Sequence, residues 1–289
     1  MQRRSFIKSA ALATAAMTAL SLIAQASGKG RKVQKIIDLS VSIENDVPAD
    51  PPNLRPEVKY AAHKEMAPAM AATFPGLKPE DLPGGEGWAV EHVTLTTHVG
   101  THMDAPWHYA STMNHGEPAA TIDQIPLDWC FRPGVKLDFR NLPDGHVVTA
   151  AEVERELSRI KYKLQPLDIV LINTSAGVAY GQERYLDTGC GMGREATLYL
   201  LERGVRVTGT DAWSWDIPFK YMAADFVRDK DASAIWQGHK AGLDIGYCHM
   251  EKLHQLEQLP SSGFMVACFP VKIHSASAGW TRAVAIINE

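Results

Sequence analysis

The sequence predicts an α/β protein in which helices pack against a mixed β-sheet. Two observations carry this prediction: short apolar runs rich in β-branched residues predict strands, and they alternate along the chain with helical patterns. Thr149 and Glu152 form a capping box that begins a helix over residues 150–160, and Gly204 ends a second helix over residues 195–203. Strands are predicted over residues 33–39, 90–97, 135–139, 168–173, 205–210, 264–269 and 283–287.

Composition is that of an ordinary soluble domain. Of the 289 residues, 45% are hydrophobic and 21% charged, and no internal repeat or boundary divides residues 27–289, which we expect to form one domain. The net charge of −4 gives no reason to expect nucleic acid or an anionic membrane as partner. The cysteines lie far apart, which argues against a redox motif or a thiolate zinc site but leaves a structural disulfide open. They are Cys130, Cys190, Cys248 and Cys268.

The N-terminus is typical of an export signal. Arg3 and Arg4 precede an alanine-rich apolar run, and Ala24-Gln25-Ala26 resembles a cleavage site. The paired arginines indicate the twin-arginine route, so we predict that residues 1–26 are removed and that the protein is periplasmic. An uncleaved membrane anchor is the alternative, but the run is shorter than the roughly 20 apolar residues of a spanning helix and is diluted by hydroxyl residues.

A second unusual stretch covers residues 44–87, which are rich in proline, glycine and alanine. Proline removes a backbone donor and disfavours regular pairing, so we expect an irregular N-terminal arm or lid here.

Residues 98–108 carry the strongest functional signal, reading His-Val-Gly-Thr-His-Met-Asp-Ala-Pro-Trp-His. His98, His102 and Asp104 would share one face of a strand, yet His98 and His102 would lie roughly 13 Å apart if the strand were fully extended. The chain must therefore bend at Gly100, where glycine adopts a turn at little steric cost. A helix is disfavoured because the intervening residues are poor helix formers.

Imidazole together with carboxylate is a ligand set for zinc, manganese or non-haem iron. Two histidines and one aspartate leave coordination positions open, as a catalytic metal requires. His108 then has a natural task as a general acid–base, titrating near neutral pH beside the metal. We expect His92 and His115, the other histidines nearby, to lie outside the ligand set.

The pattern His98-x-Gly-Thr-His102-x-Asp104-x-Pro-x-His108 resembles the signature of the cyclase-type metal-dependent hydrolases, a family that includes bacterial kynurenine formamidases and isatin hydrolases. Residues 209–216, Gly-Thr-Asp-Ala-Trp-Ser-Trp-Asp, are similar to a second segment of that family.

The resemblance implies His98, His102 and Asp104 as primary metal ligands. It further implies that Asp104 bridges to a second ion held by His239 and Glu251, a pair that looks like the family's second ligand set. The ions would be zinc or manganese, and members hold one or two of them.

The same resemblance assigns His108 as the acid–base group and Ser214 as a residue that positions water or substrate. It implies a swivelling β/β/α cyclase-like fold and a homodimer or homotetramer. Tryptophans near these residues either shape the pocket or pack in the core, and the sequence leaves both alternatives open. They are Trp88, Trp107, Trp213 and Trp215.

We therefore expect a metal-dependent hydrolase that opens a small formamide, a cyclic amide or a lactone. An arylformamidase activity would belong to tryptophan catabolism, and an isatin-like cyclic amide is the other candidate. Two alternatives remain: a periplasmic metal- or ligand-binding protein without turnover, which would need no acid–base group such as His108, and a metal-dependent isomerase or lyase, which labelled water would distinguish from a hydrolase.

Overall fold

The computed structural model describes residues 34–288 of the chain. In chain order its strands are β1 (Gln34–Asp38), β2 (Glu57–Ala61), β3 (Val90–Thr94), β4 (His102–Asp104), β5 (Thr112–Met113), β6 (Glu117–Pro118), β7 (Phe131–Asp138), β8 (Val147–Val148), β9 (Ile169–Asn173), β10 (Gly191–Met192), β11 (Val207–Thr210), β12 (Cys248–Glu251), β13 (Phe264–Ala267), β14 (Ala278–Trp280) and β15 (Val284–Asn288). Its α-helices are α1 (His63–Ala71), α2 (Pro106–Tyr109), α3 (Ala150–Arg159), α4 (Arg194–Leu201), α5 (Phe219–Asp229) and α6 (Gln237–Lys240). The predicted export signal lies outside the described residues.

One mixed sheet carries the functional residues. Within residues 34–288 it has nine strands, in the order β1-β15-β13-β7-β9-β11-β12-β4-β14. The middle strands β7, β9, β11 and β12 are parallel neighbours, whereas β13 and β15 on one side and β4 and β14 on the other pair antiparallel. The α/β class with a mixed sheet, as predicted, is confirmed.

Both faces of this sheet are covered. On β9, Ile169 and Leu171 pack in one apolar cluster, while Val170 and Ile172 pack in a second cluster that contains Leu200 of α4. Because successive strand residues face opposite sides, a strand covered on both sides is a continuous apolar run, as β9 is. Each such side chain contributes about 1.5–3 kcal/mol through burial.

The predicted helices form at their predicted places. Thr149 Oγ1 accepts a hydrogen bond from Glu152 N at 3.3 Å, and Glu152 Oε2 accepts one from Thr149 N at 2.8 Å, so the capping box begins α3. Helix α4 ends three residues before Gly204, whose φ of +88° closes the turn. Within the described part of the chain, no helix has the length and apolar character needed to cross a bilayer.

Residues 44–87 are only partly irregular. Strand β2 pairs antiparallel with β3 as a separate two-stranded ribbon, with Val58 opposite Val93, and α1 follows directly. Pairing with β3 orders β2 despite the proline-rich composition, while short 3-10 turns and loops occupy much of the rest. Strand β3 ends at Thr94, short of the predicted residue 97, and belongs to this ribbon rather than to the main sheet.

Strand β4 places part of the histidine motif within the sheet. It lies between β12 and β14, with Asp104 opposite His249 and His102 opposite Glu251. Directly opposed residues, and residues two apart on one strand, share a face. Four polar side chains therefore meet on one face of the sheet, and two of them come from outside the motif.

Candidate metal centre

The bend predicted at Gly100 is present. Gly100 has a φ of +67°, a conformation that glycine adopts without a steric penalty, and β4 begins two residues later. His102 Nδ1 donates a hydrogen bond to the Gly100 carbonyl at 2.8 Å. Because the carbonyl only accepts, Nδ1 carries the proton and the Nε2 lone pair of a neutral His102 is available to a metal.

Asp104 is the point at which the motif converges. The carboxylate is 1% exposed, and its Oδ1 lies 2.9 Å from His98 Nδ1 and 3.3 Å from His102 Nε2. His108 Nε2 lies 3.7 Å from Asp104 Oδ2. We call His98, Asp104 and His108 the outer group, since both histidine side chains are more than one-fifth exposed.

A second set of donors meets the same carboxylate from the interior. His249 Nε2 lies 3.2 Å from Asp104 Oδ2, 3.4 Å from Glu251 Oε1 and 3.2 Å from His239 Nε2. His239 Nε2 lies 3.7 Å from Glu251 Oε1. We call Asp104, His239, His249 and Glu251 the inner group, and all four residues are buried.

Asp216 fixes the orientation of His239. Its carboxylate accepts hydrogen bonds from His239 Nδ1 at 2.6 Å and from the backbone N–H groups of Gly238 and His239 at 2.8 and 3.0 Å. The Nδ1 proton is therefore directed to Asp216, and Nε2 points its lone pair into the inner group. Carboxylates commonly support metal-ligating histidines in this way.

The charges of the site suit a cation. Burial acts to raise the pKa of Asp104, but the neighbouring histidines, led by His102, hold it well below its usual value. Burial likewise opposes ionisation of Glu251, yet hydrogen bonding from His249 lowers its pKa to about 2. Both carboxylates are therefore ionised at neutral pH.

Two buried atoms that lie 3.3 Å apart at this site are among those that lack the hydrogen bonds that buried polar atoms almost always make. His102 Nε2 and Asp104 Oδ1 have no hydrogen-bond partner of acceptable geometry, although they approach each other. A divalent cation between them would satisfy both lone pairs. The residues present therefore fit a bound divalent metal, with His102 Nε2 also within 3.6 Å of Glu251 Oε2.

His108 differs from the expectation that it titrates near neutral pH. It lies on α2, with its ring centroid 4.1 Å from that of His98, and burial lowers its pKa to about 4. The imidazole is thus neutral at pH 7 and available as a proton acceptor. The geometry keeps it beside the donors, as an acid–base group requires.

A cavity of about 290 Å³ opens onto these groups. Ser214 lines it, beside His98 and His108, whereas Trp215 is buried in the core and donates through Nε1 to Thr197 Oγ1 at 3.1 Å. The full lining is Leu54, Thr96, His98, His108, Trp213, Ser214, Phe219, Trp236, His239, Glu251 and Lys252.

The structure also places the other tryptophans and histidines that the sequence singled out near the motif. Trp213 shapes the cavity, while Trp88 and Trp107 are about half exposed and do not line it. His92 is exposed on β3, and His115 is exposed in a loop. Neither of these histidines joins the donor groups.

A buried ion pair supports the outer group. Lys252 Nζ donates to Asp50 Oδ1 and, at 2.8 Å, to the backbone carbonyl of His98. Asp50 Oδ1 also accepts from Trp213 Nε1 at 3.0 Å. The pair thus links the segment before β2 to both the metal donors and the cavity wall.

The structure brings together all seven residues predicted for the site, and it adds His249, Asp216 and Lys252. Asp216 ends the segment 209–216 noted in the sequence, but no role was assigned to it. His249 and Lys252 were missed because the predicted chemistry rested on one contiguous motif and on a resemblance. A signal for His249 was present in its position two residues before Glu251, which places both on one face if the segment is a strand.

Comparison with known proteins identifies the class. A family model described as putative cyclase matches residues 37–217. The chain is 30% identical over 196 residues to a kynurenine formamidase of Salinibacter ruber, covering 66% of this chain and 76% of that relative. It is 25% identical over 197 residues to a kynurenine formamidase of Bacillus thuringiensis, covering 68% of this chain and 78% of the relative.

Solved structures share the fold at low sequence identity. An isatin hydrolase bound to the product analogue thioisatinate matches with a TM-score of 0.68 and 18% identity, over 95% of this chain and 99% of the other. Isatin hydrolase A from Labrenzia aggregata matches with a TM-score of 0.65 and 21% identity, over 94% and 100% of the two chains. The chain has the cyclase fold, and it belongs to the putative cyclase family. The match to the family model covers residues 37–217, which include the outer group.

Proposed function

We propose that this protein is a metal-dependent hydrolase that cleaves the carbon–nitrogen bond of a small amide. The observation that carries the proposal is the position of His108, a neutral imidazole beside a buried donor set on the wall of an aromatic cavity. The relatives named kynurenine formamidase support the same class of reaction.

The chain's own residues suffice for the proton transfers. His98, His102 and Asp104 would hold a divalent cation, which when bound would supply Lewis acidity toward a carbonyl oxygen and an attacking water. His108 accepts a proton from that water as the carbon–oxygen bond forms, and returns it to the amide nitrogen as the carbon–nitrogen bond breaks. One water is consumed, and the products are a carboxylic acid and an amine.

The cavity wall favours an aromatic substrate. Trp213, Phe219 and Trp236 line one continuous pocket together with Leu54, and Ser214 offers a hydroxyl that can orient the substrate or the water. We therefore propose an aryl formamide, as in arylformamidases, or a cyclic aryl amide such as isatin. A lactone, in which a carbon–oxygen bond rather than a carbon–nitrogen bond would be cleaved, is the third candidate.

The native cation is proposed to be zinc or manganese. Imidazole and carboxylate donors suit both, and His-rich sites favour zinc over manganese in open competition. We propose one or two ions that share Asp104, one held with His98 and His102 and the other within the inner group.

A reconstitution assay tests the proposal. The protein is stripped with a chelator, reloaded with zinc or manganese, and assayed against formylkynurenine, formanilide, isatin, an aryl lactone and unsubstituted formamide. In water enriched in oxygen-18, we expect metal-dependent turnover of an aryl amide, with one labelled oxygen in the acid product. Tight binding of the panel without product would indicate a binding protein, and product without label would indicate an isomerase or lyase.

We also propose that the protein is exported to the periplasm by the twin-arginine route. The support is the sequence of residues 1–26 alone. Replacing Arg3 and Arg4 by lysine should retain the protein in the cytoplasmic fraction, whereas unchanged periplasmic recovery would exclude this route. The predicted homodimer or homotetramer stays a prediction.

A further inference from the structure

We infer that His249 is a metal ligand of this chain, so that the inner group is a four-donor cation site formed by Asp104, His239, His249 and Glu251. The inference rests on the proposed metal dependence, but it concerns a residue that lies outside both the histidine motif and the matched residues 37–217. Its first support is position: β12 places His249 directly opposite Asp104 and two residues from Glu251, on the same face.

The second support is the spacing of the donor atoms. Zinc bonds to imidazole nitrogen and carboxylate oxygen measure about 2.0–2.2 Å, so neighbouring donors of a tetrahedral site lie about 3.4 Å apart. The distances from His249 Nε2 to the nearest donor atoms of Asp104, Glu251 and His239 are 3.2, 3.4 and 3.2 Å. The distance between His239 Nε2 and Glu251 Oε1 is 3.7 Å. These distances are close to the edges of one tetrahedron.

The third support is a mismatch of donors and acceptors. The proton of His239 is committed to Asp216, so its Nε2 is a lone pair, and the carboxylates of Asp104 and Glu251 only accept. Three acceptors thus surround His249 Nε2, which can supply at most one N–H. A cation at their centre satisfies all four atoms at once.

On the side of Nδ1, the ring of His249 is held by packing rather than by a hydrogen bond. Tyr109 and Trp215 lie nearly parallel to it, at 22° and 25° with centroids 6.2 and 6.0 Å away, and Tyr247 lies 5.5 Å away. Its Nδ1 is buried and has no hydrogen-bond partner. The aromatic side chains therefore fix the direction of Nε2, the function that Asp216 serves for His239.

The inner group should consequently bind its cation more tightly than the outer group does. Four buried protein donors would fill a tetrahedral shell, whereas the histidines of the outer group are partly exposed and would leave positions for water and substrate. We expect two zinc ions per chain in the wild type, the first bound more tightly than the second.

The test measures zinc rather than turnover. His249→Gln, with His92→Gln on the exposed face of β3 as a matched control, is titrated with zinc after chelator treatment, and bound metal is counted by elemental analysis. We expect the control to bind zinc as the wild type does. In His249→Gln, the zinc affinity of the tighter step should fall by more than the roughly 10–100-fold that follows loss of a supporting residue. Two zinc ions bound with unchanged affinity in His249→Gln would overturn the inference.

A zinc-loaded wild-type crystal gives an answer that does not depend on folding of the variant. We expect an anomalous zinc peak about 2.0–2.1 Å from His249 Nε2. Zinc bound only beside His98, or bound to His239 and Glu251 without His249, would overturn the inference. Zinc on His249 without hydrolysis of any amide would instead leave the ligand assignment standing and refute the proposed function.

Discussion

The outer and inner groups share Asp104 but differ in how the chain builds them. The outer group comes from eleven consecutive residues that bend at Gly100, and its histidines remain partly exposed. The inner group depends on the pairing of β4 with β12 and on the His239 segment, and it is buried throughout. The comparison agrees with the proposed function, in which the buried donors would bind a cation and the partly exposed histidines would contact the substrate.

Substitution of Asp104, which belongs to both groups, should have the largest effect on metal content and on turnover. Asp104→Asn keeps the volume of the side chain but removes the shared negative charge, so metal at both positions should be lost. Because a bound cation supplies several kcal/mol of transition-state stabilisation, kcat/KM should fall by about 10³-fold or more. Elemental analysis and kinetics are measured together, with exposed Asp229→Asn on α5 as control; normal metal content would contradict the assignment.

A substitution of His108 should distinguish an effect on catalysis from an effect on metal binding. His108→Gln should retain bound metal, since it removes the proton acceptor but none of the predicted ligands, and should lower kcat by about 10²–10⁴-fold. The exposed His115→Gln provides the control. Loss of metal in step with activity would show that His108 acts as a ligand, and an unchanged rate would remove it from the mechanism.

Asp216 tests the inner group selectively. Asp216→Asn leaves His239 in place but weakens the hydrogen bond that sets its tautomer, so zinc should leave the inner group about 10–100-fold more readily. Stepwise zinc release to a chromogenic chelator measures this. The more exposed ion should be released at an unchanged rate, and equal weakening of both steps would show that the groups are not separable.

Asp211, five residues earlier, should affect stability without affecting metal. It accepts hydrogen bonds from Thr174 N and Oγ1, which join the ends of β9 and β11, and burial raises its pKa from 3.8 to about 7. A folded-state pKa above the unfolded value contributes stability that is present below about pH 4 and is lost as the pH rises through about 7. Asp211→Asn should remove this slope and be more stable than the wild type at pH 8 by about 1–4 kcal/mol.

Urea unfolding at pH 5 and pH 8 checks this prediction, with metal content measured on the same samples. An identical pH slope in the wild type and in Asp211→Asn would assign the slope to other groups. A loss of metal would mean that the β9–β11 connection also positions the inner group.

The sequence predicted the local features of the molecule better than the non-local ones. The bend at Gly100, the capping box at Thr149 and the buried strand β9 depend on near neighbours, and all are present. His239 and Glu251 came only from a resemblance. His249 was missed because its role depends on pairing with a strand far away in sequence, which periodicity does not report.

The same dependence on long-range contacts explains two other features of the structure that the sequence did not predict. Residues 57–71 form a strand and a helix within a proline-rich stretch, and the strand, β2, pairs along its whole length with β3, which lies outside that stretch. Lys252 and Asp50 have no motif between them, yet their buried ion pair fixes the carbonyl of His98. Long-range contacts, rather than composition, decide both.

The pairing of β4 with β12 also bears on the order of events during protein synthesis. A ribosome that has released residue 108 has supplied every outer donor, but the inner set stays incomplete until Glu251 has emerged and its strand has docked. Contacts between residues so distant in sequence form late, because loop closure must precede them. A nascent chain that ends before His239 would therefore retain the histidine motif yet lack His239, His249 and Glu251, and the full donor set exists only once most of the chain has been synthesised.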